Sequence, residues 1–525
     1  MKNFYIVFLI VCSSMTVNSQ TISTTMTVSA GTGVYVSSGT PISASELTLK
    51  SSSDQFSALF LNEPLNDAII VNYDRHVNLV GKSGDNGGND LISMPVKNVG
   101  ETYANFLNYS ADGLLTNADV LPQHPSEKTI YAFGPYDNVS RKYLNYDMAT
   151  NGGVLLQRGI GYRAAARKVG QTLRFSGKVS TETETVEITT SRKNRWNSVG
   201  NPFPTYLDPQ KFLDENSSKL DSNAEAIYGY NSGTRSGSGT IGNFIIINRL
   251  TFANEKIAPG QAFLLANDVS ALNNQIVFTQ NMRVFNGGDD FILGRPTAPQ
   301  QMLRLKAAHA TADFATEIYF SETSTLGLDP GYDAALFDGV ANNFMVYSHL
   351  VKDHKGKEMA IQSLGTASMN DVVVPLGLKV AQGNQITFSI ENTTLPNEIQ
   401  VYLEDRENNT LTLLNEATYA FTSKTAITGG GRFFLRFESR ALSIEESETE
   451  TLQIYATGQT LYINGPLSAD SKVVMYDIQG RTVLNAYIEK TKAKNTVDVS
   501  SLSQGVYLVK LSNKYQNQVK KIIIK

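Results

Sequence analysis

"DLISMPVKNVGETYANFL" (residues 90–107) and "WNSVGNPFPTYLDPQKFL" (196–213) carry one pattern twice. Each opens on an apolar run of strand character, meets a proline (Pro95, Pro202), and closes on a short segment ending Phe-Leu (Phe106-Leu107, Phe212-Leu213). Three more landmarks follow in the same order: "IYAF" (130–133) with "IYGY" (227–230), "RGIGYRA" (158–164) with "APGQAFL" (258–264), and "LRFSGKV" (173–179) with "IVFTQNM" (276–282). Ordered matches at a spacing of about a hundred residues mark an internal duplication, and the copies are too long for a solenoid unit. Two similar β-rich domains, 81–190 and 191–300, are therefore expected, with Tyr131 and Tyr228 at equivalent places.

The pattern on either side is also strand-rich. In residues 20–80, Val28, Val34, Val36, Leu47 and Leu49 alternate with small or polar residues, which suits half-buried β structure. A solenoid-like cap and a pair of hairpins both fit that alternation. Residues 301–440 hold a further series, among them "QMLRLKAA", "VVVPLGLKV", "NQITFSIEN" and "GRFFLRFES". Strands this frequent, with turns between them, predict an antiparallel sandwich. Residues 441–452 gather Glu445, Glu446, Glu448 and Glu450 and read as an acidic, solvated linker. A compact, strand-dense tail, 453–525, ends the chain. The whole is expected to be all-β, with several β-rich domains in tandem, as a chain of 525 residues exceeds what one core serves.

Composition limits the function. The first nineteen residues place Lys2 before an apolar run from Phe4 to Cys12 and end on the small residue Ser19, the layout of a cleaved secretory signal. Beyond them the chain has no cysteine, which excludes disulfides and thiolate-bound metals. No later stretch is long and apolar enough for a membrane helix. Residues 451–525 carry ten Lys and Arg against four Asp and Glu, a net of +6. The whole chain's −4, less Lys2 of the leader, then leaves residues 20–450 at −11. No long basic stretch points to nucleic acid.

Candidate chemistry is sparse. "GSGTIG" (237–242) has the spacing of a phosphate-cradling loop, but β-type sequence follows it where a helix N-terminus is needed. "GDNGGND" (84–90) and "NGGDD" (286–290) offer oxygen ligands of the kind Ca²⁺ takes, without a recognised spacing, and turns are the simpler reading. His76, His124, His309, His349 and His354 are scattered, and His349 and His354 lack the HExxH arrangement. Asp329 and Asp333 in "LDPGYDAAL" are the carboxylate pair to inspect for hydrolysis, although Pro-Gly makes a turn. Trp196, the sole tryptophan, is expected in the core unless it stacks on a sugar. No catalytic, cofactor or metal residue is assigned, and no enzyme activity is expected.

The tail carries the specific signal. "VVMYDIQGRTVLN" (473–485), "VDVSSLSQGVYLVKL" (497–511) and the terminal "VKKIIIK" (519–525) together resemble the type A C-terminal sorting domain of the bacterial type IX secretion system. The matching residues are Tyr476, Asp477, Gly480 and Arg481 at a hairpin, Leu502, Gly505 and Tyr507 at the head of a strand, and Lys521, Ile522, Ile523, Ile524 and Lys525 in the last strand. The resemblance implies a small β-sandwich and a Bacteroidetes-type cell. It also implies export through the periplasm to the outer surface or medium, with the outer-membrane translocon and its shuttle receptor as partners. "RWNSVGNPFP", "IAPGQAFLL", "LDPGYDAALF" and "VPLGLKV" are similar to a functionally undefined region of such cargo, covering roughly 90–440, in which an apolar residue usually stands at Ser198. Adhesion or structural display is the function expected, with other surface proteins or glycans as partners. A carbohydrate-binding module and then a secreted hydrolase are the alternatives. In an extended terminal strand, Val519, Lys521, Ile523 and Lys525 face one side while Lys520, Ile522 and Ile524 face the other.

Overall fold

Five short strands open the described chain: β1 (Thr25–Val28), β2 (Gly33–Val36), β3 (Glu46–Lys50), β4 (Ala58–Leu61) and β5 (Ile70–His76). β1, β3 and β5 run parallel, as do β2 and β4. Parallel neighbours need a crossover, not a tight turn. The segment therefore winds as solenoid rungs, and the hairpin pair does not form. The computed structural model describes residues 24–80, 89–189, 195–230, 244–251, 256–271, 274–288, 300–337, 343–352, 356–439, 452–465, 467–492, 494–515 and 517–524. The expected leader and all of the acidic linker except Leu452 lie outside them.

Two lobes of like topology follow. In the first, β6 (Asp90–Ile92), α1 (Tyr103–Asn108), α2 (Asn117–Val120), β7 (Phe133–Asp137), β8 (Lys142–Tyr143), β9 (Tyr162–Ala164) and β10 (Thr172–Gly177) occur in that order. The sheet order is β6-β9-β7-β8, and β10 pairs back onto β5. The second lobe has β11 (Glu184–Glu187), β12 (Trp196–Gly200), α3 (Pro209–Asn216), β13 (Ile227–Tyr230), β14 (Phe244–Ile247), β15 (Ala262–Ala266) and β16 (Gln275–Phe278). Its sheet order is β12-β15-β13-β14, and β16 pairs back onto β11. Both sheets thus run first, fourth, second, third. Equivalence is looser residue by residue: Tyr228 lies within β13, whereas Tyr131 precedes β7 and bridges to Gln123.

The Phe-Leu landmarks are helical. Thr102 caps α1 by accepting from the Asn105 N–H at 3.2 Å, and Asp208 caps α3, with Pro209 in its first turn. Phe106 and Phe212 turn inward and meet Phe175 of β10 and Phe278 of β16, with ring centroids 5.3 and 5.2 Å apart. A buried asparagine ties each helix to that strand. Asn117 Nδ2 donates to the carbonyls of Phe106 (2.8 Å) and Arg174 (2.8 Å), while Oδ1 accepts from the Arg174 N–H (2.9 Å). Asn216 Nδ2 donates to the carbonyls of Phe212 (2.9 Å) and Val277 (2.9 Å), while Oδ1 accepts from the Val277 N–H (2.8 Å).

The lobes meet reciprocally. Ile92 at the end of β6 bridges Gln261, just ahead of β15, and Val199 of β12 bridges Ile160, just ahead of β9. The Ser93 N–H donates to the Gly260 carbonyl at 2.8 Å, and the Gly161 N–H to the Ser198 carbonyl at 3.1 Å. Glycine is required here: a Cβ on Gly161 would lie 2.1 Å from Ser198 Oγ, and one on Gly200 2.5 Å from Ser93 Cβ. Ser198, the departure from the resembling region, accepts from the Tyr143 hydroxyl at 3.0 Å. An apolar side chain there would remove that acceptor.

Residues 301–439 contribute β17 (Gln301–His309), β18 (Ala312–Ser321), β19 (Met345–Ser348), β20 (Met359–Gly365), β21 (Asp371–Val380), β22 (Gln385–Thr393), β23 (Ile399–Asp405), β24 (Thr410–Leu413), β25 (Tyr419–Thr422) and β26 (Ile427–Ser439). They form one sheet, β24-β23-β26-β21-β19-β20-β18-β17-β22-β25, around a core that includes Leu305, Ile318, Leu376, Phe388, Leu403 and Leu435. Antiparallel pairing is the rule, but β18 and β20 run parallel, with Glu317 opposite Ile361. The two ends of the sheet meet at the fully buried Asp405 of β23. Its Oδ2 accepts from the Tyr419 hydroxyl of β25 (2.7 Å), and both its oxygens accept from the Arg432 guanidinium of β26 (2.9 and 2.7 Å).

The chain divides into two compact units, Met1–Ser439 and Arg440–Lys525. The tandem segments between residues 20 and 440 pack together within the first unit. The rungs and the first lobe share one core, and Trp196, Tyr228 and Leu264 of the second lobe pack with Met302, Tyr319, Met359 and Ile361 of the large sheet.

Each bracket is built on a fully buried amide side chain. Asn117→Ala and Asn216→Ala each leave a part-buried N–H and two carbonyls without this partner. Each is expected to lower the stability of the full chain by about 2–3 kcal/mol, measured by urea denaturation.

Candidate sorting determinant

The second unit is a small sandwich. One sheet is β27 (Gln453–Thr457), β28 (Thr460–Asn464) and β31 (Lys494–Asp498) in the order β27-β28-β31. The other is β30-β29-β32-β33, from β29 (Ser471–Tyr476), β30 (Thr482–Ile488), β32 (Gly505–Ser512) and β33 (Asn517–Ile524). Ile454, Leu461, Ile463, Val473, Met475, Val497, Val509, Leu511, Ile522 and Ile524 lie between them.

The motif residues found in sequence fall into three places. Asp477 builds the β29–β30 turn: Oδ1 accepts from the N–H groups of Gln479 (2.9 Å) and Arg481 (3.0 Å), and Oδ2 accepts from Arg481 Nε (2.8 Å). Gly480 supplies the left-handed residue of that turn, at φ +82°. Leu502 packs on the core, and the Tyr507 hydroxyl donates back to the Ser503 carbonyl at 2.8 Å, fixing the entry to β32. In the last strand, Ile522 and Ile524 are each 5 % exposed and Ile523 is 56 % exposed. β33 pairs with β32 along its length, with Gly505 opposite Ile524 and Tyr507 opposite Ile522. Tyr476 stands opposite Leu508, and Leu508 opposite Lys521, so the three motifs share one sheet. Lys525 lies outside the described residues.

The candidates in the first unit are dispersed. Trp196 is 2 % exposed and meets Tyr228 and Phe337 edge-on, both at 4.7 Å. His76 is buried in β5, His124 Nδ1 accepts from the Glu127 N–H in a turn, and His309 packs edge-on against Phe344. His349 sits beside Tyr347, 5.3 Å between ring centroids. Among the described residues no three His, Cys, Asp or Glu side chains gather as a metal site. "GSGTIG", residues 84–88, residues 289–290 and His354 lie outside the described residues. Among those described, no helix is long and apolar enough to cross a membrane.

A family model described as "Domain of unknown function (DUF8693)" matches residues 105–437, well over half of the chain. The chain belongs to the DUF8693 family. A second model, "Secretion system C-terminal sorting domain", matches residues 453–525 and makes the chain a type IX secretion cargo protein. No curated protein matches the chain. Two solved structures give weak likenesses. A two-domain fibronectin type-III segment from chicken tenascin is 8 % identical, covering 28 % of this chain and 94 % of that one, at a TM-score of 0.13. The BSP domain of a biofilm-associated protein is 11 % identical, covering 83 % and 90 %, also at 0.13. Scores that low carry no weight for fold or function.

Asp329 and Asp333, both in the DUF8693 region, hold a turn. Asp329 accepts from the Thr325 N–H at 2.6 Å. Asp333 is fully buried and accepts from the N–H groups of Asp329 (2.7 Å) and Ser363 (2.6 Å) and from Ser363 Oγ (3.0 Å), which pins the turn to β20. Burial pushes its carboxyl up to about 6, against the pull of these donors. A folded value above the unfolded one, roughly 4, means that the folded state binds the proton more tightly. The resulting stabilisation is complete below roughly pH 4 and is lost as pH rises through about 6. The unfolding free energy of the wild type, less that of Asp333→Asn, should fall by about 2–3 kcal/mol between pH 4 and pH 7 in urea titrations at each pH.

The last strand gives a second test. Burying an isoleucine is worth roughly 1.5–3 kcal/mol, and a buried lone charge costs more. Ile522→Asp and Ile524→Asp should therefore open the second unit, seen as lost hydrogen-exchange protection of β32 and β33 in the full chain. Ile523→Asp should leave that protection intact.

Proposed function

We propose that this is a non-enzymatic protein displayed on the cell surface or released from it, and that its work is adhesion or structural display. The observation that carries the reading is the sorting-domain match over residues 453–525, on a segment that folds around its own core. In this reading the amino-terminal leader takes the chain to the periplasm of a Bacteroidetes-type cell. The outer-membrane translocon and its shuttle receptor then act on the second unit. Asp329 and Asp333 serve a turn, which supports a non-hydrolytic role for the first unit. Glycan binding is the second reading. With Trp196 in the core, it rests on a cleft of about 310 Å³ lined by Glu407, Asn408, Tyr419, Phe421, Lys424 and Arg432, at the seam of the large sheet.

Deleting residues 453–525 should abolish surface appearance of the chain in a host with type IX secretion, scored by protease shaving of whole cells, with the truncated protein held in the periplasm. Normal surface appearance of the truncated chain would overturn the sorting reading.

A further inference from the structure

The strands of the four-stranded sheet in the second unit, β29, β30, β32 and β33, contain no Asp or Glu and four lysines: Lys472, Lys510, Lys520 and Lys521. Their register sorts the side chains. Core-facing positions in β29, β32 and the end of β33 are apolar: Val473 and Met475, Tyr507, Val509 and Leu511, Ile522 and Ile524. Lys520, opposite Val509, is on that side too but exposed. On the opposite face, Val474 stands opposite Lys510 and Lys510 opposite Val519. In the next row Tyr476, Leu508 and Lys521 stand side by side, and beyond them Val506 faces Ile523. Lys472 lies at the other end, opposite Ser512. This outer face is open along β32 and β33, where Leu508 is 43 % exposed, Ile523 56 % and Val519 58 %, while Val474 of β29 is buried.

Two accounts compete for such a face. Lysine on an edge strand discourages sheet-to-sheet aggregation, but Lys472 and Lys510 stand on the two inner strands, β29 and β32. A docking face needs a particular sign of charge and an apolar centre that is desolvated on contact. Of the tail's four carboxylates, Asp470, Asp477, Glu489 and Asp498, none belongs to these four strands. Edge protection does not account for lysines on inner strands.

We propose that the outer face of the β30-β29-β32-β33 sheet, with Tyr476, Leu508 and Ile523 at its apolar centre and Lys472, Lys510 and Lys521 around it, is the surface read by the protein of the secretion machinery that recognises the sorting domain. That reader presents an apolar patch bordered by carboxylates. The proposal rests on the sorting reading of residues 453–525 and adds which face is read and by what chemistry.

The test is charge reversal in the full chain. Lys472→Glu/Lys510→Glu/Lys521→Glu keeps a charge at every position, so edge protection survives while attraction becomes repulsion. Surface protein, measured by protease shaving, should fall by about tenfold or more. The matched triple Lys490→Glu/Lys492→Glu/Lys494→Glu, on the segment from the end of β30 into the other sheet, should be exported normally. Hydrogen-exchange protection of β32 and β33 verifies that each variant is folded. Should the reversal variant lose it, Lys472→Gln/Lys510→Gln/Lys521→Gln replaces it, with a smaller loss of export expected. Normal export of the folded variant would overturn the proposal while export of the 453–525 deletion separately decides the sorting reading. Binding of the wild-type chain, but not the reversal variant, to phosphatidylglycerol vesicles would also overturn it, by making the face a lipid contact.

Discussion

A sheet edge is a row of N–H and C=O groups with no partner, and most of this architecture consists of ways to cover one. The amino-terminal rungs cover theirs by stacking in parallel. The last rung, β5, is covered by β10, a strand from the far end of the first lobe, and β11 is covered in the same way by β16. The large sheet curls until its two ends approach, where Asp405, Tyr419 and Arg432 lace them together. Because each covering strand arrives from a distant part of the sequence, residues 24–439 behave as one unit and not as beads.

The two lobes show which features of a repeated sequence their topology needs. Strand order, the inward phenylalanine of the helix and its partner on the last strand are common to both. The bracing amide is also common, but it stands eleven residues after Phe106 in one lobe and four after Phe212 in the other. Asn117 comes from a second short helix, whereas Asn216 is the last residue of α3 itself. Alignment by spacing finds the phenylalanines and passes over the asparagines, because the amide has to reach one point in space and the chain has two routes to it. The same looseness separates Tyr131 from Tyr228. The reciprocal bridges, Ile92 to Gln261 and Val199 to Ile160, resemble the self-complementary contact of a two-fold dimer.

Features set by neighbouring residues were legible in the sequence. The alternation around "IIIK", the Asp477–Gly480 turn and the strand-rich character of every segment depend on period and turn chemistry. What was not legible depends on register. Asp329 and Asp333 looked like a pair because they are four residues apart, yet Asp333 gives one oxygen to the Asp329 N–H and the other to Ser363, thirty residues away in β20. The parallel β18–β20 pairing has no mark in either strand, because the direction of a neighbour depends on how the chain is routed between the two strands. Ser198 read as a small irregularity, and its role required the position of Tyr143 on the other lobe.

The tail is a compact unit built on its own core. β33 is the last strand of its sheet and pairs with β32 alone among the described strands. Its core is drawn wholly from residues of the tail, so its shape does not depend on which residues build the first unit. Sorting many cargoes by one signal requires that independence: the reader must meet the same surface whatever precedes it. A linear tag would meet the requirement without a core, but it would have to be ordered at each encounter, which weakens binding per unit of contact area. A small sandwich pays that ordering cost during folding. It then holds Tyr476, Leu508 and Lys521, from three separate stretches of sequence, in one fixed row.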